Sequence, residues 1–173
     1  MLISIFGNMG YGKTLLAVYL CYKAYTKFNY PIFSNIKLNF PYKPISIDNI
    51  LNAKLKKGIV LLDEAYAYVE SRASSRKINR IFSYILFQSR KRQLHFILTA
   101  QLYSTIDKRF RELSDLVIIA LEPDNYSFNY FITDNQRFKF FKFPKSEAEK
   151  YYKLYDTREI VIPLDFFELN NEE

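Results

Sequence analysis

Gly7, Gly10 and Gly12, followed directly by Lys13 and Thr14, lie in the stretch GNMGYGKT, which satisfies the spacing G-x-x-x-x-G-K-[ST]. Glycines at this density let a chain curl until successive backbone N–H groups point inward, a geometry that fits phosphate oxygens. Lys13 can then reach the β and γ phosphates of a nucleoside triphosphate, and the Thr14 hydroxyl can bind Mg²⁺. The loop of Gly7, Asn8, Met9, Gly10, Tyr11, Gly12, Lys13 and Thr14 is therefore the expected nucleotide site, with ATP and GTP both open. Asp63 and Glu64 end the apolar run IVLLDE. An acid at that place holds Mg²⁺ through water, and a Glu after it can orient or deprotonate an attacking water. The pair points to hydrolysis. A small nucleoside or nucleotide kinase must exclude water, so the adjacent Glu disfavours it; the plain alternative is that Glu64 opens a helix at its favourable N-terminus. Gln101 closes HFILTAQL, where it can hydrogen-bond both the water and the γ-phosphate or else merely cap the next turn. His95, in the same stretch, reads as a core or edge residue, and Cys21 as packing.

These groups converge only if the intervening chain folds as strand and helix units. Leu2 to Phe6 is an apolar run suited to a buried strand, and Thr14 to Phe28 has helical periodicity, which puts the glycine loop in the context its motif needs. A second strand is expected over Pro31 to Ile36, and a short helix capped by Asp48 through Leu55. Lys56, Lys57 and Gly58 make a turn. Ile59 to Glu64, Leu94 to Ala100 and Leu116 to Leu121 read as further strands, with helices over Lys77 to Arg92 and Ser104 to Leu113 between them. Alternation of this kind predicts an α/β fold with a mostly parallel central sheet and helices on both faces. After Pro123 the pattern changes. Tyr126 to Thr133 and Arg137 to Phe143 flank DNQ as an antiparallel hairpin, and Ser146 with Glu149 offers a capping box for a helix to Tyr155. The expected organisation is a single domain over 1–173, with a nucleotide-binding core at 1–121 and a hairpin and helix extension at 122–173.

A 173-residue chain with 49% hydrophobic content can bury a core of its own. Its single cysteine excludes an internal disulfide and a Cys-based zinc site, and fits a reducing cytosol. No basic leader opens the chain and no window holds the ~18 apolar residues of a membrane span, so a soluble, cytoplasmic protein is expected. The net charge of +7 is local. Between Arg72 and Arg111 there are ten basic residues and one acid, Asp107, which leaves 15 bases against 17 acids elsewhere. Clustered charge of one sign marks a polyanion partner more often than an idle solvated face.

With GNMGYGKT, IVLLDEAY and SRKRQLHFILTAQLYSTID in order, the chain from Leu2 to about Leu121 resembles the additional-strand P-loop ATPases, within them the FtsK and HerA superfamily of DNA translocases. It is most similar to the genome-packaging ATPases of membrane-containing and archaeal viruses and to the zonula occludens toxin-like assembly proteins of filamentous phages. PIFSNI also looks like a segment of the toxin-like branch, and Arg90 lies eleven residues before Gln101, as an Arg does before the sensor Gln of FtsK-like proteins. The resemblance implies a P-loop NTPase fold whose sensor strand lies between the strands of the glycine loop and of Asp63. It also implies a homo-oligomeric ring of six subunits and Arg90 as a finger on the neighbour's ATP, with Arg92 as a rival. The expected activity is an ATP- and Mg²⁺-dependent translocase on double-stranded DNA, a viral packaging motor docked on a capsid portal or membrane vertex in the host cytoplasm. Arg72, Arg76, Lys77 and Arg80, in VESRASSRKINR, are the expected DNA contacts. A virion assembly or secretion ATPase that does not move DNA is the alternative.

Overall fold

The computed structural model describes residues 1–45, 55–65, 89, 91–101, 112–134 and 136–156. The helices expected over Lys77 to Arg92, Ser104 to Leu113 and from Asp48 fall almost entirely outside these residues. Ten elements are described in chain order: β1 (Leu2–Phe6), α1 (Lys13–Phe28), β2 (Ile32–Ser34), β3 (Lys43–Pro44), β4 (Gly58–Leu62), β5 (Leu94–Ala100), β6 (Leu116–Leu121), β7 (Ser127–Thr133), β8 (Phe138–Pro144) and α2 (Lys145–Tyr152). Their strands form one sheet in the order β3-β2-β4-β5-β1-β6-β7-β8. Pairing is parallel from β3 to β6 and antiparallel across β6–β7 and β7–β8. β5 lies between β4 and β1, the strand insertion that the resemblance implied.

β4 is apolar without interruption and β1 is apolar except for Ser4, whose hydroxyl shares a hydrogen bond with Ser114; both are buried along their length, which suits parallel strands covered on both faces. Strand alternation divides their side chains. Ile3, Ile5, Ile59, Leu61 and Ile97 join one core, into which α1 sends Leu15, Leu16, Val18 and Cys21. Leu2, Phe6, Val60, Leu62, Phe96 and Leu98 build a second core on the other face. Both described helices pack on the first face. α2 lies against α1, its Tyr151 ring 5.0 Å edge-on from Tyr19, which itself sits 4.9 Å from Phe143 of β8. Among the described residues no helix is long and apolar enough to cross a membrane.

The expected capping box is not formed. α2 starts at Lys145 with Pro144 as its N-cap and no side-chain cap, so Ser146 already lies inside the helix. β8 runs straight into the helix, and the Tyr126 carbonyl accepts the first helical N–H, from Lys145, at 2.8 Å, so the helix starts one residue before Ser146, which therefore cannot be its N-cap. The hairpin is closed by a carboxylate instead of a glycine: Asp134 Oδ1 accepts the N–H groups of Gln136 and Arg137 at 3.0 and 2.7 Å.

Candidate nucleotide site

At the end of β1 the chain enters the glycine loop. Gly7 takes φ 145° and donates its N–H to the Gln101 carbonyl at 3.3 Å, tying the loop to the end of β5. A Cβ here would lie 2.6 Å from the Ala120 carbonyl oxygen of β6, so no larger residue fits. Gly12, at φ 85°, is the N-cap of α1, and a Cβ on it would lie 2.7 Å from both the Phe128 ring and the Tyr130 hydroxyl. Gly10, at φ 80°, has nothing within 4 Å of that position, leaving its side of the loop open. Asn8, Met9 and Gly10 are exposed, whereas Lys13 is buried. Lys13 Nζ donates to the Asn8 carbonyl at 3.1 Å. Burial pulls its ammonium below the usual lysine range, against the opposing charges of Glu64 and Asp63. A cradle of backbone donors, a helix N-terminus and one buried ammonium fit a polyphosphate.

Asp63 follows β4 and is held from three sides. Thr14 Oγ1 donates to its two oxygens at 2.9 and 3.1 Å, and Thr99 Oγ1 donates to Oδ1 at 2.7 Å. The amide of Asn35 clamps its backbone, Nδ2 donating to the Asp63 carbonyl and Oδ1 accepting the Asp63 N–H, both at 2.8 Å. Thr99 has a second task, since its Oγ1 accepts the Glu64 N–H at 2.9 Å. A hydroxyl and a carboxylate in contact are a donor set suited to Mg²⁺, which keeps several waters and takes its other ligands from phosphate.

Glu64 is the strained member. Its φ of 51° is left-handed, uncommon for a residue with a side chain, and its Oε2 is buried with no hydrogen-bond partner. Burial and then the Asp63 charge push its carboxyl above the usual range; Lys13 and a hydrogen bond from Gln101 oppose the rise. A raised pKa and an orphaned oxygen are what a general base for water requires.

Gly7 to Thr14, Asp63, Glu64 and Gln101 thus meet at the C-terminal ends of β1, β4 and β5, where ligands bind in open parallel sheets. Arg92 does not join them. Its carbonyl accepts the Lys57 N–H at 2.8 Å at the start of β4 and β5, a strand length of about 20 Å from Gln101. Arg90, Arg72, Arg76, Lys77 and Arg80 lie outside the described residues. His95 is at the same remote end as Arg92, its Nδ1 3.4 Å from the Met1 amino group, and Cys21 is fully buried in the α1 packing. Three polar supports have no role in the sequence reading: Asn35, Thr99 and Tyr130. Thr99 leaves a trace, being polar within HFILTA, and Asn35 sits in PIFSNI; Tyr130 looks like any other aromatic of a hairpin.

Solved structures share this fold. The N-terminal domain of zonular occludens toxin from Neisseria meningitidis superposes with a TM-score of 0.66 at 19% identity, covering 90% of this chain and 98% of that one. The genome packaging NTPase B204 of Sulfolobus turreted icosahedral virus 2, in complex with ATP-gammaS, gives 0.60 at 15% identity, covering 83% and 97%. A KaiC-like protein of Pyrococcus horikoshii OT3 gives 0.54 at 16%, covering 83% of each chain. No curated protein sequence matches. Residues 3–121 match the ATPase family associated with various cellular activities (AAA), a span from β1 to the end of β6 that contains the whole cluster described above. The chain therefore belongs to the AAA family of ATPases and is a P-loop ATP hydrolase.

Proposed function

We propose that this ATPase is a double-stranded DNA translocase and serves as a viral genome-packaging motor. The observation that carries the reading is the pairing of a hydrolytic site with a cationic stretch: the chain between Asp63 and β6 holds ten bases and one acid over residues 72–111. Fold likeness to a packaging NTPase supports it. Gly7 to Thr14 hold the phosphates of ATP; Thr14, with Asp63 through water, would hold Mg²⁺, which would neutralise charge on the phosphates. Glu64 takes the proton of the attacking water, and Gln101, hydrogen-bonded to Glu64, relays the state of the nucleotide. The remote place of Arg92 bars it from the γ-phosphate of its own subunit. A cation from this segment, Arg90 or its rival Arg92, acts on a neighbour's ATP in a hexameric ring, a role with which the remote place of Arg92 agrees. Arg72, Arg76, Lys77 and Arg80 contact DNA phosphates without reading sequence. The ring works in the host cytoplasm, docked on a capsid or membrane-vertex protein.

The test is the ATPase rate with and without duplex DNA, with Glu64→Gln as the inactive control. Stimulation by DNA of any sequence supports translocation. A rate indifferent to DNA would favour the second reading, a virion assembly or secretion ATPase, to which the fold likeness to the zonular occludens toxin domain lends support.

A further inference from the structure

The hairpin that follows the family match reaches back to the glycine loop. Ala120 of β6 and Tyr130 of β7 are direct partners in the antiparallel register. This one rung touches the loop at both ends: the Ala120 carbonyl closes on Gly7, and the Tyr130 hydroxyl donates to the Gly12 carbonyl at 2.9 Å. Tyr130 is fully buried, stacked 6.0 Å from Phe141, and its neighbour Phe128 fills the rest of the space against Gly12.

The chemistry of one peptide group gives this contact a consequence. The Gly12 carbonyl and the Lys13 N–H belong to the same planar trans unit, so they point in opposite directions. Fixing the oxygen on Tyr130 fixes the N–H away from the hairpin. That N–H stands in the first turn of α1, where no intrahelical acceptor exists, and it is one of the donors a phosphate would use. The same carbonyl also accepts the Leu16 N–H at 3.0 Å, which starts the helix. Burial pushes the Tyr130 phenol upward in pKa, so it stays a donor across the working pH range.

We propose that Tyr130 is a positioning residue for nucleotide binding: through its hydroxyl on the Gly12 carbonyl, the β7 hairpin aims the Lys13 N–H at the β- and γ-phosphates. The effect is specific to the polyphosphate. Tyr130→Phe keeps the ring and removes one hydrogen bond, so affinity for ADP and for a non-hydrolysable ATP analogue should fall about five- to tenfold. AMP, which lacks those phosphates, should bind as before. The KM for ATP should rise by the same factor and kcat should fall by less.

The inference rests on residues 7–14 being the phosphate loop, and Lys13→Ala separates the two ideas. If Lys13→Ala leaves the affinity for the ATP analogue intact, the loop assignment fails. If Lys13→Ala loses it while Tyr130→Phe keeps the native ratio of ATP-analogue to AMP affinity, the role of Tyr130 alone is overturned. A merely structural Tyr130 would lower the melting temperature and, through loss of folded protein, weaken all three nucleotides alike; that result also overturns the proposal. Calorimetric titration of the full chain with the three nucleotides reads every outcome.

Discussion

Glu64 should be a residue that the fold would be more stable without. Its backbone sits at φ 51°, its Oε2 is buried and unpartnered, and its carboxylate lies beside that of Asp63. An unsatisfied buried polar atom costs about 1–3 kcal/mol, and left-handed backbone at a residue with a side chain adds about 1–2. Glu64→Ala removes the orphaned oxygen and the charge but keeps the backbone strain. It should therefore stabilise by about 1–2 kcal/mol, a rise of roughly 3–6 °C in melting temperature for a chain of this size. Glu64→Gln removes the charge and leaves a buried amide, so its gain should be smaller. Both should cut turnover by about 10²–10⁴ while nucleotide still binds. The pH dependence separates charge from strain. The folded-state pKa is raised, so at pH below the unfolded carboxylate value Glu64 is neutral in both states and the gap between Glu64→Gln and the native protein is narrow. As pH rises through the raised folded-state value, the native protein loses that relief and the gap opens. Urea denaturation across pH, alongside steady-state ATPase rates, measures both. Variants less stable than the native protein at neutral pH, or a stability gap that ignores pH, would refute the reasoning, as would hydrolysis at the native rate.

Thr99→Val removes a donor to Asp63 and an acceptor for the Glu64 N–H, and should cost about 2–3 kcal/mol in urea denaturation, with Thr99→Ser restoring most of it. Gln101→Leu removes a hydrogen bond that favours ionised Glu64, so the acid limb of kcat should move to higher pH; a limb that stays put would take Gln101 away from the base. For DNA, each of Arg72, Arg76, Lys77 and Arg80 changed to Ala should flatten the slope of log affinity against log salt by about 0.9, and an unchanged slope in the fourfold variant would move the contact surface elsewhere.

What the sequence disclosed and what it hid divide along physical lines. Strands buried on both faces are written as mostly apolar runs, interrupted here only by Ser4, His95 and Thr99, so LISIF, GIVLL and LHFILTA were legible almost to the residue. The glycine loop was legible because G-x-x-x-x-G-K-[ST] between a strand and a helix is a recognised phosphate-binding pattern. Local rules did worse where a neighbour outcompeted them. Ser146 and Glu149 have the right spacing for a cap, yet the Tyr126 carbonyl takes the first helical N–H through a contact across the hairpin. The supports of Asp63 come from residues 28 and 36 positions away in the chain, and no local pattern announces such a distance. Arg92 is near Gln101 in sequence but not in space: β5 lies between them, and a strand is the element that separates its ends most.

The antiparallel extension looked in sequence like an addition to a finished domain, because periodicity changes at Pro123 and the family match ends at Leu121. The packing argues otherwise. Gly7 has no room for a side chain because of Ala120, and Gly12 has none because of Phe128 and Tyr130. Two glycines of the phosphate loop are therefore required as much by β6 and β7 as by any ligand, while Gly10, which no protein atom crowds, is left for the nucleotide side. A loop whose conformation is fixed before nucleotide arrives loses less entropy on binding, and a contact that fixes it from behind leaves the open side free for phosphate. The hairpin is in this sense the rear wall of the site, meeting the loop at Gly12 through both the Tyr130 hydroxyl and the Phe128 ring.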